Sequence, residues 1–443
     1  MKPDESALTE QRQRQSPSTS GEEAESLGVH PRYENASAVS ARSLSPFADK
    51  CCNRVEIQPN ARPLPSRRGS GGAGQAVRHT LGVYSQRPRA SKPIALQFAV
   101  ILLVLADITL AAGALTRFEE SSFHMGTTAR IVVYASSSDA AAAATQSAFA
   151  RIRELDNILS DYQAESEVNR LCRQSGGPAV KVSSDLFRVL SVAQNLAVRS
   201  QGAFDMTAGP VIRLWRRARR QRALPEACRL ATAHDLTGFR RLTLDAKRQT
   251  AQLAKPGMLL DLGGIAKGYA AEEALQALKR AGIESALVAL GGDIAVSKPP
   301  PGKKGWTVEI AALNLPDAPK PSPLLLHNGA VSTSGDAEQF VEIGGVRYSH
   351  IIDPRTGKAL TGRRSVTVVA AHGIDSDSLA TVASVMDPKE GLKLIDATQN
   401  AAALIVIQTG SGIQTWMSKR WKKNLSRNSL GFLPNTQRVE APR

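Results

Sequence analysis

Two kinds of hydrophobic spacing alternate along this chain between about Phe123 and Trp421, and neither occurs before Ser91. Ala129 to Ala135 is rich in β-branched residues and predicts a strand, and the alanine-rich stretch from Asp139 to Ile158 predicts a long helix. Ser184 to Ser200 sets Leu186, Val189, Leu190, Ala193 and Leu196 on one face of a second helix. Leu242 to Leu244 and Thr250 to Leu253 read as a hairpin. Met258 to Leu262 predicts a short buried strand, and Ala270 to Ala281 a helix with Leu275 and Leu278 on one face. Ser285 to Leu290, Trp306 to Ala311, Ala330 to Ser334 and Ser365 to Ala371 predict further strands, after which Asp375-Ser376-Asp377 opens a helix. The mixture predicts an α+β fold in one compact domain over about 118–425, and the alternation of strands and helices also admits an α/β arrangement.

The amino-terminal quarter has a different texture. Residues 1–91 are rich in Ser, Pro, Gly, Arg and Glu, so they lack the apolar surface that would offset the entropy of ordering, and they read as a disordered leader. Ile94 to Leu115 is an apolar block preceded by Arg87, Arg89 and Lys92, the charge layout of a signal peptide or membrane anchor. It is long enough to span a bilayer, with Asp107 as a costly interruption and Ala112-Gly113-Ala114 as a cleavage signal. No methionine lies between Met1 and Met125, so translation is expected to begin near Val77 or Val83. An exported protein on the periplasmic side of the membrane, anchored or soluble, is the resulting expectation, with residues 426–443 as a flexible tail.

The formal net charge of +16 is distributed over the chain, with two dense runs, Arg213 to Arg222 and Lys419 to Lys423. Each is either a solvated helix face or a surface for an anion; for an exported protein, nucleic acid is not an expected partner. Four cysteines without CxxC spacing or a nearby histidine exclude a zinc site, and Cys172 and Cys228 are left open as a pair.

Candidate chemistry gathers around Asp261-Leu262-Gly263-Gly264-Ile265-Ala266-Lys267. Adjacent glycines before a helix let backbone approach a ligand, N–H groups at the helix start face an anion, and Lys267 adds charge; the alternative is a simple tight turn. The spacing fits neither a dinucleotide fingerprint nor a phosphate-binding P-loop. Tyr162 is either a stacking ring or a half-buried loop residue, and Asp205 with Thr207 either a ligand contact or a turn device. His350 lies among hydroxyls and charges, as a base or a hydrogen-bonded structural residue. Asp377 and Thr381, four apart, share one helix face: a hard-cation site, unless Asp375 or Asp377 is only an N-cap.

Taken in order, Met125-Gly126-Thr127, Asp161-Tyr162, Gly202 to Thr207, Asp261 to Tyr269, Gly291-Gly292-Asp293, Thr333 to Asp336, Ser349 to Gly357 and Asp377 to Thr381 resemble the ApbE-type FAD:protein FMN transferases over about Phe123 to Trp421. The resemblance implies transfer of FMN from FAD to a Ser or Thr hydroxyl of an acceptor flavoprotein, with release of AMP. An acceptor of this kind would be a membrane redox-pump subunit or an exported flavoprotein bearing a short Ser/Thr motif. It places Met125, Tyr162, Ala203, Phe204, Asp205, Asp261, Lys267 and Ile351 at FAD-contacting positions, Gly264, Asp377 and Thr381 at magnesium positions, and His350 at the position of the base. An FAD pyrophosphatase and a non-enzymatic exported FAD-binding protein are the other readings. The chain departs from the pattern in having no cysteine soon after the apolar block and in the arginine run that follows Trp215.

Overall fold

The computed structural model describes residues 114–310, 313, 323–335, 339–425 and 430–431. The leader, nearly all of the apolar block, Asp336 and most of the tail lie outside the described residues; of the tail, Leu430 and Gly431 pair in parallel with Leu326 and His327. Among the described residues no helix is long and apolar enough to cross a membrane.

Eight strands form the main sheet: β1 (Thr116–His124), β2 (Thr127–Ala135), β3 (Ala286–Leu290), β4 (Asp293–Val296), β5 (Gly329–Gly335), β6 (Arg364–Ala370), β7 (Ala402–Thr409) and β8 (Gly412–Met417). They stand side by side in chain order, each pair antiparallel. Because side chains alternate between faces, β2 sends Ile131 and Val133 to one core and Val132 to another. The larger core lies under α1 (Ser138–Leu159), α2 (Ser184–Arg199), α4 (Ala266–Arg280) and α5 (Gly373–Val385), with α3 (Gly209–Gln221) packed apart from it on Ile352 and Ala359. On the opposite face, the strands Trp306–Val308 and Leu324–His327 and the buried Trp421 cover Val132, Val331 and Leu404. This is the α+β fold, with a wholly antiparallel main sheet.

The predicted helices and strands are present with three instructive differences. β1 escaped the hydrophobic pattern because it is an edge strand whose one half-buried face carries Phe118 and Glu120 among charges and hydroxyls. Met258 to Leu262 is extended and buries Met258, Leu260 and Leu262, yet it joins no sheet. Its neighbour is the short Met206–Gly209 turn, which offers one isolated bridge at Leu259 and a carbonyl on Met206 for the Asp261 N–H at 2.8 Å. α5 begins at Gly373 rather than at Asp375, since Glu272 of α4 reaches across to accept the Gly373 N–H at 3.0 Å. Neither Asp375 nor Asp377 is therefore the N-cap.

α4 likewise starts at Ala266, four residues early, and so takes Gly268 into its first turn. A glycine is needed there because α4 and α5 touch backbone to backbone: a Cβ on Gly268 would lie 2.1 Å from the Gly373 carbonyl oxygen, and one on Gly373 equally close to that of Gly268. In an unhindered helix, Gly→Ala stabilises by about 1 kcal/mol; Gly268→Ala should instead destabilise by about 1–3 kcal/mol through overpacking. A denaturant midpoint that falls at unchanged slope would bear this out, and one that rises would show that the helices are not held at contact distance.

Candidate active site

The α4–α5 contact fixes the floor of the site. Asp377 and Thr381 lie one and two turns into α5, directly beneath the Gly263-Gly264 turn: a Cβ on Gly264 would come within 2.8 Å of Thr381 Oγ1. Asp377 Oδ2 accepts the Gly268 N–H at 2.9 Å. Lys267 Nζ stands 2.8 Å from Asp293 Oδ2 and 3.8 Å from Asp377 Oδ2, and donates to the Gly263 carbonyl at 3.3 Å. Asp293 reaches this point from the tight β3–β4 turn, where Gly291 has φ +61°.

Burial opposes the charge on Lys267, but Asp293 and Asp377 outweigh it and push its pKa up. Burial, with Asp293 adding to it, pushes the Asp377 carboxyl up to about 7 against the pull of Lys267. The local oxygens outnumber the one ammonium that neutralises them, and all are hard donors: two carboxylates, the Thr381 hydroxyl and the Gly263 carbonyl. Among the described residues no three His, Cys, Asp or Glu side chains gather to hold a metal. A magnesium ion fits such an incomplete set, because it keeps waters and substrate phosphate oxygens as its remaining ligands.

A second cation organises the neighbouring wall. Arg216, on α3, pairs with Asp161 and, at 2.6 Å, with Asp261 Oδ2, and its guanidinium lies 4.4 Å from the centre of the Tyr162 ring. Asp261 is held twice more, through its own N–H and through Oδ1, which accepts the Gly263 N–H at 2.9 Å. Burial and the facing Asp261 raise the pKa of Asp161 in spite of Arg216. Tyr162 itself is 74% exposed, so it is not the half-buried loop residue of one sequence reading; its ring stands at the lip of a cleft of about 350 Å³ lined also by Arg216, Arg219, Arg220, Gln339 and Phe340.

His350 and Ile351 lie on the strand Val346–Asp353, Ile351 buried and His350 half-buried. His350 Nδ1 is 3.1 Å from the Gln339 carbonyl, an acceptor only, so Nδ1 carries the proton and Nε2 the lone pair, the tautomer a base requires. Gln339 also lines the cleft, which ties His350 to the Tyr162 wall. Met125 occupies the β1–β2 turn at φ +50°, its N–H donating to Asp156 Oδ2 at 3.3 Å. That turn adjoins the Asp293 turn, since a Cβ on Gly291 would meet Thr127 Oγ1 at 3.1 Å.

Ala203, Phe204 and Asp205 are not brought into the Lys267 cluster. Ala203 and Phe204 belong to the core, and Asp205 organises a turn, accepting from the Thr207 N–H and hydroxyl and from the Phe239 N–H. Cys172 and Cys228 are both free thiols. Sequence reasoning missed Asp161, Asp293 and Arg216 as site side chains. The first two sit inside motifs it singled out; Arg216 was hidden in an arginine run whose other members face solvent or the cleft.

A glycine turn over buried carboxylates, a lysine among them and a histidine bonded to Gln339 of the cleft wall define an anion-handling, enzyme-like site on an antiparallel sheet. Residues 125–405 match the ApbE family, and the chain belongs to it. The FAD:protein FMN transferase of Treponema pallidum (strain Nichols) is 31% identical over 330 residues, 70% of this chain and 90% of that protein. The FAD:protein FMN transferase of Vibrio cholerae serotype O1 is 29% identical over 333 residues, 74% of this chain and 99% of that one. The apo crystal structure of the Pseudomonas stutzeri flavinyl transferase ApbE superposes with a TM-score of 0.62 at 28% identity, covering 70% of this chain and 98% of its own.

Arg216 separates two nearly buried carboxylates, so Arg216→Met should cost about 3–5 kcal/mol at neutral pH. In the variant Asp161, raised by burial and the facing Asp261 and no longer opposed by Arg216, takes up a proton in the folded state. The native form then binds more protons than the unfolded chain above the ordinary aspartate pKa, and stability falls as pH rises through the raised one. Denaturant midpoints at about pH 5 and about pH 8 should differ, with the lower at pH 8; a deficit independent of pH would contradict the carboxylate pairing.

Proposed function

We propose that this protein transfers the FMN portion of FAD to a Ser or Thr hydroxyl of an acceptor protein, forming a phosphoester and releasing AMP. The observation that carries the reading is the Asp293–Lys267–Asp377 cluster beneath the Gly263-Gly264 turn, which suits a pyrophosphate and its cation. The kinship with proteins named FAD:protein FMN transferases supports the same chemistry.

The step joins the acceptor oxygen to the FMN phosphorus and breaks the bond from that phosphorus to the bridging oxygen, which leaves with AMP. Lys267 donates to a phosphate oxygen, and the Asp261 turn presents the Gly264 backbone to the same group. His350 takes the hydroxyl proton at Nε2, and the Gln339 carbonyl steadies the imidazolium that results. Tyr162 offers a ring face to FAD, with Met125 and Ile351 as apolar neighbours. Asp377, Thr381 and the Gly264 carbonyl, with Asp293 beside them, would hold a magnesium ion, which when bound neutralises and orients the pyrophosphate. The apolar block at 94–115 supports an exported protein that works on the periplasmic side of the membrane.

Incubation of the full-length protein with FAD, magnesium and a Ser/Thr-bearing acceptor should add the mass of an FMN phosphoester to the acceptor and release AMP. His350→Ala should abolish the mass gain while FAD affinity stays within a few-fold. Free FMN and AMP without a mass gain, for every acceptor tried, would replace transfer by FAD hydrolysis, and a His350→Ala protein that transfers normally would remove the histidine from the mechanism.

A further inference from the structure

The outer half of the cleft is not explained by FAD chemistry. Its walls are Arg219 and Arg220 of α3 on one side and Gln339 and Phe340 on the other. Neither Arg219 nor Arg220 forms an ion pair with a carboxylate among the described residues; Arg219 has only a long contact, 3.4 Å, to Gln339 Oε1. Half-burial disfavours the Arg219 charge and Tyr162 favours it, while Arg216 and Arg220 add repulsion. Elsewhere on this wall the half-buried guanidinium, Arg216, has two carboxylates. A partly desolvated cation beside two others is costly unless an anion meets it. The lip also exposes Phe340, with the Arg347 guanidinium stacked on its ring.

The position of this surface says what the anion belongs to. Gln339 holds His350 through its carbonyl and lines the cleft with its side chain, so the arginine wall faces the approach to the base. A hydroxyl brought to His350 therefore comes close to a wall that is one contact away through Gln339. We propose that Arg219 and Arg220 form the docking site for the acceptor protein, binding acidic side chains that flank its reactive Ser or Thr. This rests on the transferase reading for the identity of the acceptor, and on the cleft alone for the acidic ligand. Guanidinium pairs with carboxylate bidentately, so the site fixes the direction in which the segment lies as well as its charge.

The test uses full-length protein and three fluorescent peptides that share a central Thr and carry acidic, neutral or basic flanks. Binding is read by anisotropy in the presence of FAD and magnesium, and KM by transfer. The acidic peptide should bind about tenfold more tightly than the neutral one, as expected for two ion pairs of ordinary strength. That preference should shrink with added salt. The charge-reversing pair R219E/R220E should invert the preference towards the basic peptide, and the milder R219Q/R220Q should erase it, each with FAD affinity unchanged. Loss of FAD affinity in parallel with peptide binding would assign the arginines to FAD phosphate and overturn the proposal. Equal binding of all three peptides by the wild-type protein would overturn it too. Charge-dependent binding without transfer to these peptides or to any other acceptor tried would sink the transferase reading while still supporting the acidic docking site.

Discussion

An ammonium held between two buried carboxylates is the constraint on which this site depends. Lys267 reaches Asp293 and Asp377 only because three separate close approaches of backbone coincide. Gly268 meets Gly373 and brings the two helices to contact, Gly264 clears Thr381, and Gly291 turns the β3–β4 hairpin tightly enough to aim Asp293 inward. Each glycine is local, but together they concentrate negative oxygen atoms that a single lysine does not fully offset. Burial, with Asp293 adding to it, raises the Asp377 carboxyl further than Lys267 lowers it. On the proposed chemistry, a divalent ion would be held by these carboxylates and a phosphate would be met by Lys267, so the two together would correct the imbalance.

The same logic recurs one wall away. Arg216 reconciles Asp161 with Asp261, and Asp261 begins the turn that ends in Lys267. α3, which the sequence shows as an arginine run, thus has an inner residue that builds the site and outer residues that extend it. Trp215 anchors the helix from its other side, donating its indole N–H to the Gly357 carbonyl at 2.9 Å. α3 is therefore tied both to the Asp261 turn and to the turn following the His350 strand, so the cation wall and the proposed base belong to one rigid frame.

The regular elements were legible because their apolar residues follow a single period: α2 shows its stripe directly, and β6 its alternation. Elements that depend on distant partners were not. The run Met258 to Leu262 reads as a strand because it is short and apolar, yet nothing in its own residues reveals that its neighbour is a turn too short to form a ladder. The start of α5 was hidden because its first N–H is satisfied by Glu272, a hundred residues earlier in the chain. In the site, Asp377, Thr381, Gly264 and Lys267 were found together from motif order, and the structure brings them together. Arg216 was not found, since composition cannot distinguish the inward member of an arginine run from its solvated neighbours. For Asp205 the sequence leaves a ligand contact and a turn device open, and the structure shows its carboxylate engaged by its own turn.

On this reading the buried oxygens of α5 and the glycine turn hold a cation together with FAD. The most direct test is a titration of the full-length protein and of Asp377→Asn with manganese, with and without FAD, following loss of the free-ion signal by electron paramagnetic resonance. Uptake by the wild-type protein should be saturable and tighten when FAD is present, and it should be strongly weakened in Asp377→Asn. Equal uptake by both proteins, unaffected by FAD, would contradict this reading.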